Sequence, residues 1–290
     1  SHFNNIRNNK VYGNEWGIFA DNSNDNVIEL NTVYETTGDG IICPESHRNI
    51  IRWNVAYHNK EGIDVAYPDG TGNIVENNIV YSNVFYGIHL HKCCDNIVRY
   101  NTAYDNDEGI KMEFSAKRNI VEGNNVYDNH RNGISVFFDS DTNVVINNLV
   151  ENNYIGVCLG DSVDNTISEN TIRDNHYGTR MIRSDTNNIF HNNFISNIDQ
   201  AYCEESTSQF DNGYPSGGNY WSDYSGIDEK NGQNQDQSGS DGIGDTPYFI
   251  DGNNQDNYPF MRALIRSFTD DFDRFRSDLW HIKYGDLGPG

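Results

Sequence analysis

Asp64, His89, His91, Lys111 and Glu113 are spaced so that a repeat of 22 to 25 residues would gather all five on one surface. Two carboxyls, two imidazoles and an ammonium group are the working parts of acid–base chemistry on a sugar. Glycoside hydrolysis needs a protonated and an ionised carboxyl across the scissile bond, ~5–9.5 Å apart, and Asp64 and Glu113 are the pair that could supply them. The same set suits β-elimination. There an imidazole or Lys111 would take the proton beside a uronate carboxyl while a neighbouring cation stabilises the enolate. His89, His91 and Lys111 can also hold a uronate carboxylate by charge-assisted hydrogen bonds. Glu61 and Glu108 each stand directly before a glycine and wall the same surface. Tyr67, Tyr86 and Phe137 are candidate sugar-stacking platforms, and Arg180 continues the column of Asp64, His89 and Lys111 as a candidate substrate contact.

The elements that must position these residues are written as a repeat. Gly-Ile recurs at Gly17-Ile18, Gly40-Ile41, Gly62-Ile63, Gly87-Ile88, Gly109-Ile110 and Gly133-Ile134, then weakens to Gly156-Val157 and Gly178-Thr179. Asn pairs five apart accompany it, from Asn4/Asn9, Asn26/Asn31 and Asn49/Asn54 to Asn165/Asn170 and Asn188/Asn193. Between them lie short alternating apolar runs, which read as strands separated by tight bends, with Asn supplying the left-handed backbone those bends require. A period of this size means one unit stacked on copies of itself. The sequence therefore predicts an all-β fold, a right-handed parallel β-helix of about nine turns over residues 1–212, each turn adding a strand at ~4.8 Å spacing.

In such a coil the residue after each Gly points inward, and the residues two and four after it point outward. The first outward column reads Phe19, Ile42, Asp64, His89, Lys111, Ser135, Cys158, Arg180. The second reads Asp21, Pro44, Ala66, His91, Glu113, Phe137, Gly160, Ile182. Ionisable residues concentrate in three consecutive turns. Stacked Asn ladders and a Tyr column (Tyr12, Tyr34, Tyr57, Tyr81, Tyr104, Tyr127) should run along the wall. After Asn212 the period dissolves, so residues 213–266 are expected to cap the last turn. Residues 267–290 read as the start of a further domain or as a returning strand.

A net charge of −23 argues against nucleic acid or an anionic membrane as partner. No apolar run is long enough to span a bilayer. The five cysteines form neither a zinc pattern nor an even disulfide framework. An acidic, Asn-rich, Lys-poor surface suits an extracellular or cell-surface protein.

The repeats resemble those of the pectate-lyase-like β-helix superfamily, in particular the Asn-rich form in NosD-like and archaeal surface proteins. The segments Gly218-Asn219-Tyr220-Trp221-Ser222-Asp223-Tyr224 and Asp241-Gly242-Ile243-Gly244-Asp245-Thr246-Pro247-Tyr248 are similar to the C-terminal part of the same proteins. The Asn-rich look is also similar to the disaggregatase-related group, which implies cleavage of a uronic-acid surface polysaccharide. The final Asp270-to-Ile282 stretch is weakly similar to the opening of laminarinase-like β-sandwich domains. The combined expectation is an enzyme acting on an acidic polysaccharide, with hydrolysis ahead of elimination or epimerisation and a noncatalytic carbohydrate-binding scaffold as the alternative. No cofactor is required. Calcium is a candidate ligand of the acidic loop containing Asp236, Asp241 and Asp245, and His89 and His91 with Asp64 or Glu113 form a candidate transition-metal set.

Overall fold

The structure is a computed structural model and describes residues 2–66 and 70–265. It has the expected architecture. Three parallel sheets of nine, ten and nine strands run the length of a right-handed solenoid, and each strand inside a sheet pairs with its copies one turn before and one turn after. Ile, Val and Leu from all three sheets fill the interior, for example Ile51, Val80, Ile88, Leu90 and Ile110, all fully buried. Among the described residues, no helix is long and apolar enough to cross a membrane. Tyr67 and the segment 267–290 lie outside the described residues.

The glycine column has a steric cause. A Cβ on Gly87 would lie 2.6 Å from the carbonyl oxygen of Gly109 and 3.0 Å from core Val80, and Gly62, Gly109, Gly133 and Gly156 face the same obstruction. The glycine therefore faces inward, as does the Ile that follows it. Two successive inward residues break strand alternation, which turns the residue before the glycine outward. That residue is Asp39, Glu61, Tyr86 or Glu108 in the four turns that matter below.

Asparagine closes the corners. In each ladder one Asn donates its backbone N–H and its Nδ2 to the Oδ1 of the Asn one turn on, as Asn101 does to Asn124 at 2.9 and 3.0 Å, while Nδ2 also reaches a strand carbonyl, here Val75. There are three such ladders, not two. The third runs through Asn59, Asn83, Asn106, Asn129, Asn153, Asn175 and Asn197. The expected Asn188/Asn193 rung is displaced by one residue: Asn187 and Asn192 accept from Asn165 and Asn170, whereas Asn188 and Asn193 begin strands.

The left-handed backbone also falls elsewhere than expected. It sits on the residue before each ladder Asn, including Leu30, Trp53 and Tyr100 with φ of 58°, 54° and 55°. A bulky residue there costs ~1–2 kcal/mol. The ladder bonds offset this cost, because the following Asn satisfies several otherwise orphaned backbone groups. Replacing Asn101 by Ala should therefore cost about 2–5 kcal/mol in chemical denaturation, since it removes a buried acceptor and donor together. A loss below ~1 kcal/mol would mean the ladders are ornamental.

The tyrosine column stacks as expected, Tyr12 through Tyr127 at 4.9–5.1 Å between ring centroids. At Glu151 it gives way to an ion pair with Arg173. Beyond the last turn, Tyr220–Trp221 adds a strand to the second sheet. Trp221 stacks between Phe194 and Tyr248 at 4.4 and 4.3 Å. Its indole N–H, with the backbone N–H of Asn219, donates to the buried carboxyl of Asp256.

Candidate functional site

Strands of the third sheet lengthen at the turns where the ionisable residues begin and stay six residues long beyond them. Ile18–Phe19 and Ile41–Ile42 have two residues, Ile63–Ala66 has four, and Tyr86–His91 and Glu108–Glu113 have six. Their register is the one the columns demand: Ile42, Asp64, His89, Lys111, Ser135, Cys158 and Arg180 stand in one row, and Ala66, His91, Glu113 and Phe137 in the next. The five residues that opened the sequence reading are neighbours on one outward face. The structure also packs them tightly. Asp64, His89, Lys111 and Glu113 are each under a tenth exposed, while Tyr86 and His91 are more open.

His89 is the centre of the arrangement. Its Nδ1 lies 2.9 Å from Glu61 Oε2 and 3.6 Å from Asp64 Oδ1, and its Nε2 lies 3.2 Å from Glu113 Oε1. The Nε2 contact is close enough for an ion pair but off-line for a hydrogen bond, so the link to Glu113 is chiefly electrostatic. Burial alone would discharge this imidazole. Glu113 and Glu61 outweigh burial and lift its pKa to about 10, so it is a fixed cation at neutral pH. In return His89 holds Glu61 and Glu113 below the usual carboxylate range against the opposing effect of burial. Asp64 goes the other way. Burial, reinforced by the charges of Glu61 and Asp39, pushes its carboxyl well above the ordinary value.

Rings flank this cation on both sides along one strand. Tyr86 lies 4.6 Å from His89 between ring centroids, and His91 stacks on its other side at 5.2 Å and 17°. Burial and the positive charge of His89 lower the His91 pKa, which leaves its imidazole neutral near pH 7. Burial and the charges of Glu113 and Glu108 raise the Tyr86 phenol, which keeps it protonated. Lys111 Nζ sits 4.9 Å from the Tyr86 ring and 5.0 Å from Phe137, and pairs with Glu108 at 3.2 Å and Glu113 at 3.5 Å. Ser135 Oγ donates to the other oxygen of Glu108. The His91 imidazole, the Tyr86 phenol and the cationic His89 thus share six residues of one strand, their environments having shifted their pKa values in different directions.

The geometry reassigns several expected roles. Asp64 and Glu113 both contact His89, whose ring occupies the space between them, so they do not face each other across an open gap. Glu61 is a partner of His89 rather than a wall, and Glu108 anchors Lys111. Phe137 lies against Lys111 and covers Gly160, where a Cβ would meet its ring at 2.3 Å. Arg180 stands three strands farther along the Lys111 row. Asp39 was missed, although it precedes Gly40 as Glu61 precedes Gly62. It is buried, 3.8 Å from Lys60, and burial with the nearby charge of Glu61 raises it to about 6.

The expected metal sets are not assembled. Among the described residues, the donors that could converge on one ion are Glu61, Asp64 and His89, with ligand atoms within 4.8 Å of one another, and His91 is not among them. Asp236, Asp241 and Asp245 do not converge. Asp245 accepts backbone N–H groups of Glu229 and Lys230, Asp241 accepts that of Ile243, and Asp236 is exposed. A polar recess of about 440 Å³ lined by Thr207, Ser208, Asp211 and Asn257 opens between the last turn and the cap. It brings together no acid–base pair.

Comparison with known proteins extends these observations. The sequence profile of a family described as periplasmic copper-binding protein (NosD) matches residues 1–85 and 64–226. A search of the curated proteins found no match. Among solved structures, the A-module of mannuronan C-5 epimerase AlgE6 from Azotobacter vinelandii superposes with a TM-score of 0.60 at 20% identity, covering 70% of this chain and 73% of that one. The AlgE4 A-module of the same organism gives 0.55 at 18% identity, covering 71% of each chain. The Dettilon tailspike protein gives 0.55 at 20% identity, covering 65% of this chain and 42% of that one. At these identities the likeness is one of fold.

Proposed function

We propose, from the premise that this chain belongs to the NosD family of β-helix proteins, that its third sheet carries an enzyme site for a uronic-acid polysaccharide. The reaction begins with removal of the C-5 proton, and its favoured outcome is epimerisation. The observation that carries this reading is the row Tyr86, His89 and His91 along the strand Tyr86–His91, with the buried His89 ring 4.6 Å from Tyr86 and 5.2 Å from His91.

With the sugar ring over His89, the neutral His91 takes the C-5 proton. The bonding pair moves into the adjoining carboxyl group as an enolate, whose charge the His89 imidazolium and the Lys111 ammonium stabilise. Tyr86 then delivers its proton to the opposite face of C-5. The His91 imidazolium and the Tyr86 phenolate reset by exchange with water. Loss of the C-4 substituent from the same enolate would be elimination. Hydrolysis is less favoured, because its two carboxyls must both face the substrate and Asp64 and Glu113 are turned onto His89 instead. The printed names of two structural neighbours, mannuronan C-5 epimerases, fit this chemistry. The family's printed description also supports a compartment beyond the cytoplasmic membrane.

Among the described residues, copper, which the family's description names, finds no suitable donor set. Met112, Met181 and Cys43 are buried in the core, and both nitrogens of His89 face carboxylates rather than offering a lone pair.

Incubation with uronate polymers tests the reading. Unchanged chain length with altered C-5 configuration is the expected result, and unsaturated ends would move the assignment to elimination. Saturated new reducing ends would mean hydrolysis. Binding without any product would leave a carbohydrate-binding scaffold.

A further inference from the structure

The charges flanking the His89 site are unequal along the solenoid axis. On the side of the preceding turns stand Asp39, Glu61 and Asp64, all buried, with Lys60 and His89 itself as their ion-pair partners among the described residues. On the other side, the two turns after Lys111 present no carboxylate in the three outward columns. Those positions hold Asn132, Ser135 and Phe137, then Ile155, Cys158 and Gly160. The next turn brings Arg180. A chain carrying one carboxylate per sugar meets a cluster of acidic groups on the first side, whereas on the second the same columns hold none until Asp199 and Glu204, one turn beyond Arg180.

We infer that Arg180, held between Tyr177 and Tyr202, forms a distal carboxylate subsite that binds a polyuronate lying along the axis toward the C-terminal turns. This rests on the reading of the third sheet as a polyuronate site. Lys111 and Arg180 are three strand steps apart in one row, or ~14 Å at ~4.8 Å per step. A sugar residue of an extended polymer advances by about as much as one such step. A carboxylate at Lys111 therefore places that of the third sugar onward at Arg180. The guanidinium carbon lies 5.8 Å from the Tyr177 ring and 5.5 Å from the Tyr202 ring, which fix its plane, and its Nε has no hydrogen-bond partner. Its side chain is 30% exposed. Among the described residues its ion-pair partner is the half-exposed Glu204 at 3.2 Å, a surface pair weak enough for a substrate carboxylate to displace. A guanidinium fork bound bidentately recognises a carboxylate as an ammonium does not. Substrates of about four residues and longer should therefore bind better than shorter ones.

The test measures binding of mannuronate oligomers of graded length to the inactive Tyr86→Phe protein, with and without Arg180→Gln and Arg180→Lys. In the parent, affinity should step up about tenfold between three and four residues, as one charge-assisted contact is added. Arg180→Gln should erase the step while leaving shorter oligomers unchanged, and Arg180→Lys should restore only part of it. An Arg180-independent step, no step at all, or the same step with neutral oligomers would overturn the subsite. Loss of binding at every length in Arg180→Gln, with unchanged thermal unfolding, would also overturn it. The two readings fail separately. Length-dependent binding that needs Arg180, without turnover by the wild type, leaves the subsite and removes the chemistry. Turnover with Arg180-indifferent binding does the reverse.

Discussion

Tyr86→Phe is expected to lower turnover of a uronate polymer by about 10²–10⁴-fold, the usual contribution of a positioned proton donor, while affinity changes little. Only the hydroxyl is lost. The ring stays beside His89 and under Lys111, so the cation–π contact and the packing remain. Stability should not fall, because the phenol has no role in the core. His91→Gln should produce a loss of similar size by removing the base. The two variants should differ in pH profile, since the remaining group in each controls the remaining rate. Steady-state kinetics with a circular-dichroism melt checks this. Full activity in Tyr86→Phe would take the acid role away from the phenol.

His89→Gln should cost roughly 3–5 kcal/mol of stability, because it deprives buried carboxylates of the imidazolium that compensates them. Glu61 would keep only the half-exposed Lys60 and Glu113 only Lys111, and Glu61→Gln in the same chain should recover part of the loss. The pH dependence has a definite sign. The folded His89 pKa of about 10 lies above the ordinary 6.5, so the folded state holds a proton the unfolded chain has released between those values. Its stabilisation is complete below pH ~6.5 and is lost as pH rises through ~10. Asp64, also raised, adds a decline of the same sign at lower pH. Glu61 and Glu113, both lowered, contribute stability that disappears as the solution is acidified through their folded values. Urea titrations of the wild type should show unfolding free energy falling across pH ~6.5–10, and His89→Gln should lack the upper part of that fall. A wild-type curve flat through this window would mean that His89 is not held as a cation.

Much of this was legible in the chain itself because a solenoid converts sequence period directly into spatial register. Once Gly62, Gly87 and Gly109 are aligned, Asp64, His89 and Lys111 must stand in a row, and no long-range folding problem intervenes. What the period could not convey is side-chain direction within the row. His89 carries the same alternation signal whether it faces a substrate or is clamped between Glu61 and Glu113. Its clamping turns the expected carboxyl pair of Asp64 and Glu113 into support for a cation. Tyr86 read as a stacking platform because the inward-facing glycine after it breaks alternation, a consequence of the missing Cβ rather than of any residue type. The third Asn ladder, through Asn59, Asn83 and Asn106, was hidden by uneven spacers such as Val84-Phe85-Tyr86 before the next glycine. The shift from Asn188 to Asn187 arose where adjacent asparagines offer two possible frames and only hydrogen bonding distinguishes them.

The central claim, that this face labilises the C-5 proton of a uronate, is tested most directly by solvent isotope incorporation. Mannuronan incubated with the wild-type protein in deuterium oxide and examined by NMR should acquire deuterium at C-5 of inverted residues, and Tyr86→Phe should form few inverted residues. Cleavage of the polymer to saturated products with C-5 still fully protonated would contradict it.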